Sequence, residues 1–284
     1  MKHWHSKYWD AIDQLYWTPS HLGLRSINKA HWGRDPDMIT IPRSMVTSGT
    51  IYTRTGNSRD NAARLHRLEE PLNHIFDITF AITPDPVLVE LFLAPFGIRD
   101  SAPIDRIGRE AQVRYGWGGN NVTQQDLFLV SPSSAVGVEI KLRSKTWREQ
   151  VLKYLTLMVC EQRRSGPRES LGLLYITPQK ETAAVWKECG ATPEGRLPPG
   201  WLDDCKLARM NPTLIRLLNE ARDEFENSAA RLVLKHTTWD QFVEDCGSVV
   251  DRHKPCGGGD DTLVRLLSGF QDAVRNQVGA IATK

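Results

Sequence analysis

The spacing of apolar and polar positions changes period along the chain, and those changes mark the elements. Asp126-Leu-Phe-Leu-Val130 is a short apolar run closed by Ser131-Pro132-Ser133-Ser134, and Ala135-Val-Gly-Val-Glu-Ile140 is a second run directly after it. Two apolar runs split by turn-forming residues predict a β-hairpin. Over residues 146–163 the period becomes helical, with Val151, Leu152, Leu155 and Val159 on one face. Leu171-Gly-Leu-Leu-Tyr-Ile176 is a third buried strand, ended by Thr177-Pro178.

Upstream, Pro84-Asp85-Pro86 opens a helix over 85–95, with Val87, Leu88, Leu91, Phe92 and Leu93 apolar and Glu90 inside it. A further helix is expected over 103–112, before the glycine-rich turn Gly116–Asn121. Residues 4–17 and 60–76 also have helical spacing. Residues 34–60 read as loops with one short strand near 45–52, and Arg54, Arg59 and Arg64 form a basic stretch there. Residues 178–212 are mixed. Helices are expected over 213–234, 239–246 and 261–281. Thr238 and Gln241 have capping-box spacing before the second of these.

The pattern predicts an α/β protein, with a central mixed β-sheet flanked by helices and with helical extensions at both ends. Its expected parts are an N-terminal helical and loop segment over 1–84, a core over 85–180 and a mostly helical extension over 181–284. The 284 residues suffice to bury a sizeable core.

Composition narrows the function classes only a little. The chain is 40% hydrophobic and 25% charged with a net charge of +2, which neither supports nor excludes a nucleic-acid partner. Five cysteines at irregular spacing, with no CxxC pair, argue against a disulfide framework or a structural zinc. The opening MKHWHSKYWD has no apolar h-region, and no apolar run approaches the ~18–20 residues of a membrane span. The cytoplasm is the expected compartment. Five of nine tryptophans precede residue 118, and they read as packing or as a base-stacking surface. Nucleotide-cradling loops, a GxSxG elbow and HExxH spacing are all absent from the sequence. His236 has no neighbouring constellation.

The candidate chemistry gathers on the hairpin. Glu139 and Lys141 are two apart, so both leave the same face of the strand, while Ile140 points to the buried face. Asp126 begins the preceding strand. Two carboxylates and an ammonium at one sheet edge need mutual pairing or a metal. Hard carboxylate oxygens suit Mg²⁺ or Mn²⁺. The plain alternative is a solvated edge strand protected by lysines.

Asp126, twelve residues, then Glu139-Ile140-Lys141 resembles the signature of the PD-(D/E)xK nuclease superfamily. The following helix carries Gln150-Val-Leu-Lys-Tyr154, similar to the QxxxY pattern of several of its branches. The next strand follows in the order that superfamily uses. The resemblance covers roughly residues 85–180. It implies a restriction-endonuclease-like core and Mg²⁺-dependent hydrolysis of DNA phosphodiesters, with a defence, restriction or repair role.

Asp126, Glu139 and Ile140 are then the metal positions, Lys141 acts on the water, and Gln150 and Tyr154 join the site or pack beneath it. An upstream Glu is also implied, and Glu90 and Glu110 both qualify, Glu90 being favoured. Arg143, Lys145, Arg148 and Lys153 would track a phosphate backbone, whereas 163–168 reads as a solvated helix end. The resemblance departs at Gln125, where the superfamily's proline usually stands. Nucleic acid, with DNA favoured, is the implied partner, and a nuclease that cuts both strands is expected to pair with a second copy. The competing reading keeps the fold without catalysis, as a nucleic-acid-binding or protein-assembly module.

Overall fold

The computed structural model describes residues 83–99, 103–108, 111–117, 122–123, 125–142, 147–253 and 259–282, with Leu72, Phe76, Thr79 and Phe80. The expected helix at 4–17, the strand at 45–52, most of the 60–76 helix, Arg54, Arg59, Arg64, Glu110, Arg143 and Lys145 lie outside these residues. Two units emerge, Phe80–Val249 and a second made of Met1–Thr79 with Val250–Lys284.

In the first unit, helix α1 (Asp85–Leu88) runs on into a π-helical turn, Val89–Leu93, and a 3₁₀ turn, Ala94–Phe96. Pro86 sits in its first turn, where a missing N–H costs nothing. Strand β1 (Asp105–Arg106) and helix α2 (Ala111–Arg114) follow. The expected hairpin is β2 (Leu127–Val130) and β3 (Ser134–Ile140), paired antiparallel. The serine cluster closes it: Ser131 N–H donates to the Ser134 carbonyl at 2.9 Å, and Ser134 N–H to Ser131 Oγ at 3.1 Å.

Helix α3 (Arg148–Ser165) crosses over to β4 (Ser170–Thr177), which is parallel to β3. Helices α4 (Thr182–Cys189), α5 (Pro212–Glu220) and α6 (Arg222–Arg231) lead to β5 (Val233–Thr238), parallel to β4. The sheet order is β1-β2-β3-β4-β5. Helix α7 (Trp239–His253) begins where Thr238 Oγ accepts from Gln241 N–H at 3.2 Å, as the capping spacing predicts. In the second unit, α8 (Gly259–Ala282) buries Leu263, Leu266, Leu267, Phe270 and Val274, and Phe76 meets Phe270 edge-on at 5.9 Å. No helix among the described residues is long and apolar enough to cross a membrane.

Both sheet faces are covered, which is why β2, β3 and β4 read as unbroken apolar runs. Val151, Leu152, Leu155 and Met158 of α3 pack on Phe128, Ala135, Leu173, Tyr175 and Leu234. Each such buried side chain contributes about 1.5–3 kcal/mol. The opposite face is aromatic: Phe96 lies over Gly172, and Phe92 contacts Phe80 at 4.8 Å and Phe242 at 5.5 Å.

Three local expectations are corrected. Residues 105–106 form an edge strand on Leu129 and Val130 rather than part of a 103–112 helix. The 213–234 helix is broken at Ala221 (φ −128°), and its last residues turn extended and join the sheet. Long-range pairing overrides local propensity in both places.

The 163–168 helix end is not simply solvated, because Arg168 is buried. It donates to Glu161 at 3.0 Å and to the Pro132 carbonyl at 3.1 Å. Arg114 (3.0 Å) and Tyr115 (2.9 Å) complete the cluster around Glu161. Burial would push the Glu161 carboxyl up, but hydrogen bonds from Arg114, Ser165 and Tyr115 outweigh it and hold it below its ordinary value.

Candidate active site

Parallel strands β3 and β4 and the start of β2 end at one edge of the sheet, and the predicted residues meet there. Register decides it. Leu127 pairs with Val138 at the end of the β2–β3 ladder, which brings Asp126, one residue earlier, beside the Glu139–Ile140 end of β3. Asp126 is half-buried and its Oδ2 accepts from Ile140 N–H at 2.8 Å. The N–H and C=O of one residue leave a strand on the same side, so the Ile140 carbonyl is directed to the Asp126 side as well.

Glu139 and Lys141 are both buried, with Lys141 Nζ 2.6 Å from Glu139 Oε1. Gln150 Nε2, from the first turn of α3, donates to the same oxygen at 2.5 Å. Burial makes this pairing necessary, since an unpaired charge there would cost several kcal/mol (roughly 3–5 on removal of one partner). The Lys141 main chain is also fixed. Its N–H donates to the Ile176 carbonyl at 2.9 Å, and its carbonyl accepts from Trp239 Nε1 at 2.8 Å.

Tyr154 stands one helical turn beyond Gln150 and does both things that its spacing allows. Its ring is buried, and its hydroxyl donates to the Val138 carbonyl while accepting from Asp126 N–H at 3.2 Å. Burial, and then the carboxylates of Glu139 and Asp126, push its phenol well above the ordinary value. Gly137 makes room for it: a Cβ there would lie 2.2 Å from Tyr154 Cδ1. An isolated glycine inside an apolar strand marks such close approach. Gln125, where the resemblance departs, donates to the carbonyls of Ile107 (3.2 Å) and Gly108 (2.8 Å) and so fixes the chain just before Asp126.

The other predicted residues are dispersed. Glu90 is exposed on the π-helical turn, and none of the bonds just described involves it. Arg148 is paired with Asp204 at 2.7 Å and lies across Gly190, so its guanidinium is already engaged. Lys153 is half-buried on α3. His236, which the sequence left without a role, bridges Thr177 and Thr182 at 3.0 Å through both ring nitrogens. Burial holds its pKa below the ordinary histidine value. Gly137 carried a sequence signal. Trp239, 98 residues from Lys141, carried none.

Among the described residues no group of three or more His, Cys, Asp or Glu side chains could hold a metal. The oxygens at hand are two carboxylates and a main-chain carbonyl, a hard set that suits a divalent cation of the Mg²⁺ type, which keeps several waters. Gln150 Oε1, beside them, is buried with no hydrogen-bond partner. An orphaned acceptor costs about 1–3 kcal/mol, and a hydrated cation or its water at this edge would relieve that cost. Comparison of the chain with protein-family models, with curated proteins and with solved structures finds no match.

Proposed function

We propose that this protein is a metal-dependent nuclease of the PD-(D/E)xK type that hydrolyses phosphodiester bonds in DNA. The observation that supports this reading best is the convergence of Asp126, Glu139, Lys141, Gln150 and Tyr154 at one sheet edge, through contacts at 2.5–3.2 Å. Asp126, Glu139 and the Ile140 carbonyl would hold Mg²⁺ or Mn²⁺, which supplies charge neutralisation at the phosphate and a water of lowered pKa. Lys141 orients the attacking water and offsets the negative charge that builds on the phosphate in the transition state. Gln150 holds the Glu139 carboxylate in place. Tyr154 is a positioning residue, which fixes the main chain at Asp126 and Val138.

The test is cleavage of labelled DNA in Mg²⁺ or Mn²⁺ by the wild type and by Asp126→Asn and Lys141→Ala. Asp126→Asn keeps an oxygen for the Ile140 N–H and so keeps the fold. Loss of at least ~100-fold in rate with an unchanged circular dichroism spectrum is expected; a ~100-fold loss corresponds to about 2.7 kcal/mol of transition-state stabilisation. Variants that cut as fast as wild type overturn the site. DNA binding without cleavage by any form, wild type included, favours the module that keeps the fold without its chemistry.

A further inference from the structure

A cleft of about 780 Å³ opens beside the carboxylates, between the first turns of α3, Glu188 at the end of α4 and the segment Asp204–Met210. Gln150 belongs to both places: it lines the cleft, and its amide holds Glu139. The cleft therefore lies one side chain away from the proposed cleavage centre. Trp147 stands in it, 56% exposed, and is one of two large hydrophobic side chains left exposed among the described residues. Its backbone is extended (φ −141°, ψ 152°), and its carbonyl accepts from Gln150 N–H at 3.1 Å, so the main chain that carries the indole is fixed at the start of α3.

The charges in the cleft are mixed, and most of the acids are engaged. Asp204 is paired with Arg148 at 2.7 Å, and Glu149 accepts from the Lys206 N–H at 3.3 Å. Glu188 is the third acid. Lys153 and Lys206 have no salt-bridge partner among the described residues. An aromatic face with nearby ammonium groups is the combination that holds unpaired nucleotides, because every base has a π-face and every nucleotide a phosphate.

Size selects among nucleic acids. A volume near 780 Å³ falls in the roughly 300–1,000 Å³ range of small-molecule pockets. It accommodates a nucleotide or two of one strand. A cleft of that size encloses part of one strand rather than two paired strands together.

We infer that this cleft binds single-stranded DNA, with a base stacked on Trp147 and phosphates near Lys153 and Lys206, and that it feeds one strand to the carboxylates. The inference rests on the nuclease reading for its direction, but its test does not. Binding is measured with the full chain in Ca²⁺, using a fluorescein-labelled single strand and the same sequence as a blunt duplex, with wild type, Trp147→Ala and Trp147→Phe.

The single strand is expected to bind at least ~10-fold more tightly than the duplex. Trp147→Ala is expected to weaken it by about 5- to 150-fold, the range of one lost base–aromatic stack. Trp147→Phe keeps most of the affinity. Equal binding of duplex and single strand, no binding of either, or an unaffected Trp147→Ala overturns the cleft. Binding as expected without cleavage by the wild type in Mn²⁺ leaves the cleft standing and sinks the nuclease reading. Asp126-dependent cleavage with an unaffected Trp147→Ala does the reverse.

Discussion

Replacing Gly137 with alanine drives a methyl group into the ring of Tyr154. The new Cβ would lie 2.2 Å from Tyr154 Cδ1, 2.6 Å from Cε1 and 3.1 Å from Leu173 Cδ1, against an ordinary carbon–carbon contact of about 3.5–4.0 Å. The ring must therefore retreat by more than ~1 Å. It has nowhere to go, because Tyr154 is buried in α3 and β3 is buried along its whole length. Overpacking of this kind costs about 1–3 kcal/mol. Displacing the hydroxyl also strands the Asp126 N–H, at about 1–3 kcal/mol for a buried orphan.

Alanine recovers about 0.4–1 kcal/mol through the unfolded chain, which is too little to change the sign. The expected net loss is about 1–6 kcal/mol, against the ~5–15 kcal/mol that holds a domain together. Urea unfolding of wild type, Gly137→Ala, Tyr154→Ala and the double variant measures it. Once the ring is gone the methyl has room, so the double variant should be less destabilised than the two singles added together, by at least ~1 kcal/mol. Additivity within ~0.5 kcal/mol, or a Gly137→Ala variant as stable as wild type, refutes the reasoning.

Two further predictions concern stability. Glu161→Gln removes the anion that Arg114 and Arg168 share (3.0 Å each); Arg114 keeps Asp105 at 3.3 Å, but the buried Arg168 loses its ion-pair partner. A loss of about 3–5 kcal/mol is expected in the same urea assay; a loss under ~1 kcal/mol would mean the cluster is solvated. Tyr154 and Tyr175 are fully buried and their phenols are pushed well above the ordinary value, by burial first. A raised pKa keeps its full stabilisation below the unfolded value near 10 and loses it as pH climbs above that. Stability should therefore fall beyond about pH 10 by roughly 1.4 kcal/mol per pH unit for each of the two, flattening for Tyr154→Phe. Absorbance of tyrosinate at high pH, followed alongside unfolding, checks it: ionisation of these two phenols ahead of unfolding contradicts the burial.

Local patterns carried a good part of this protein. The hairpin, α3 and β4 were legible because apolar runs, serine turns and helical spacing are written within a few neighbouring residues. The same locality set Glu139 and Lys141 on one face, and set Gln150 and Tyr154 one turn apart on the next element. Tertiary structure decided what came between. Register brought Asp126 to the Ile140 N–H at the end of β3, and the choice of partner strand turned 105–106 and 233–238 into sheet edges, although their own residues pointed elsewhere.

Lys141 owes its fixed main chain to Trp239, and Arg168 its burial to Glu161 and Pro132. Trp239 and Pro132 lie 98 and 36 residues away, beyond the reach of any periodic pattern. Side-chain spacing is a property of one element and can be read from it. Which donors meet which acceptors depends on how separate elements stack, and that free energy is spread over the whole core rather than held in any local run of residues.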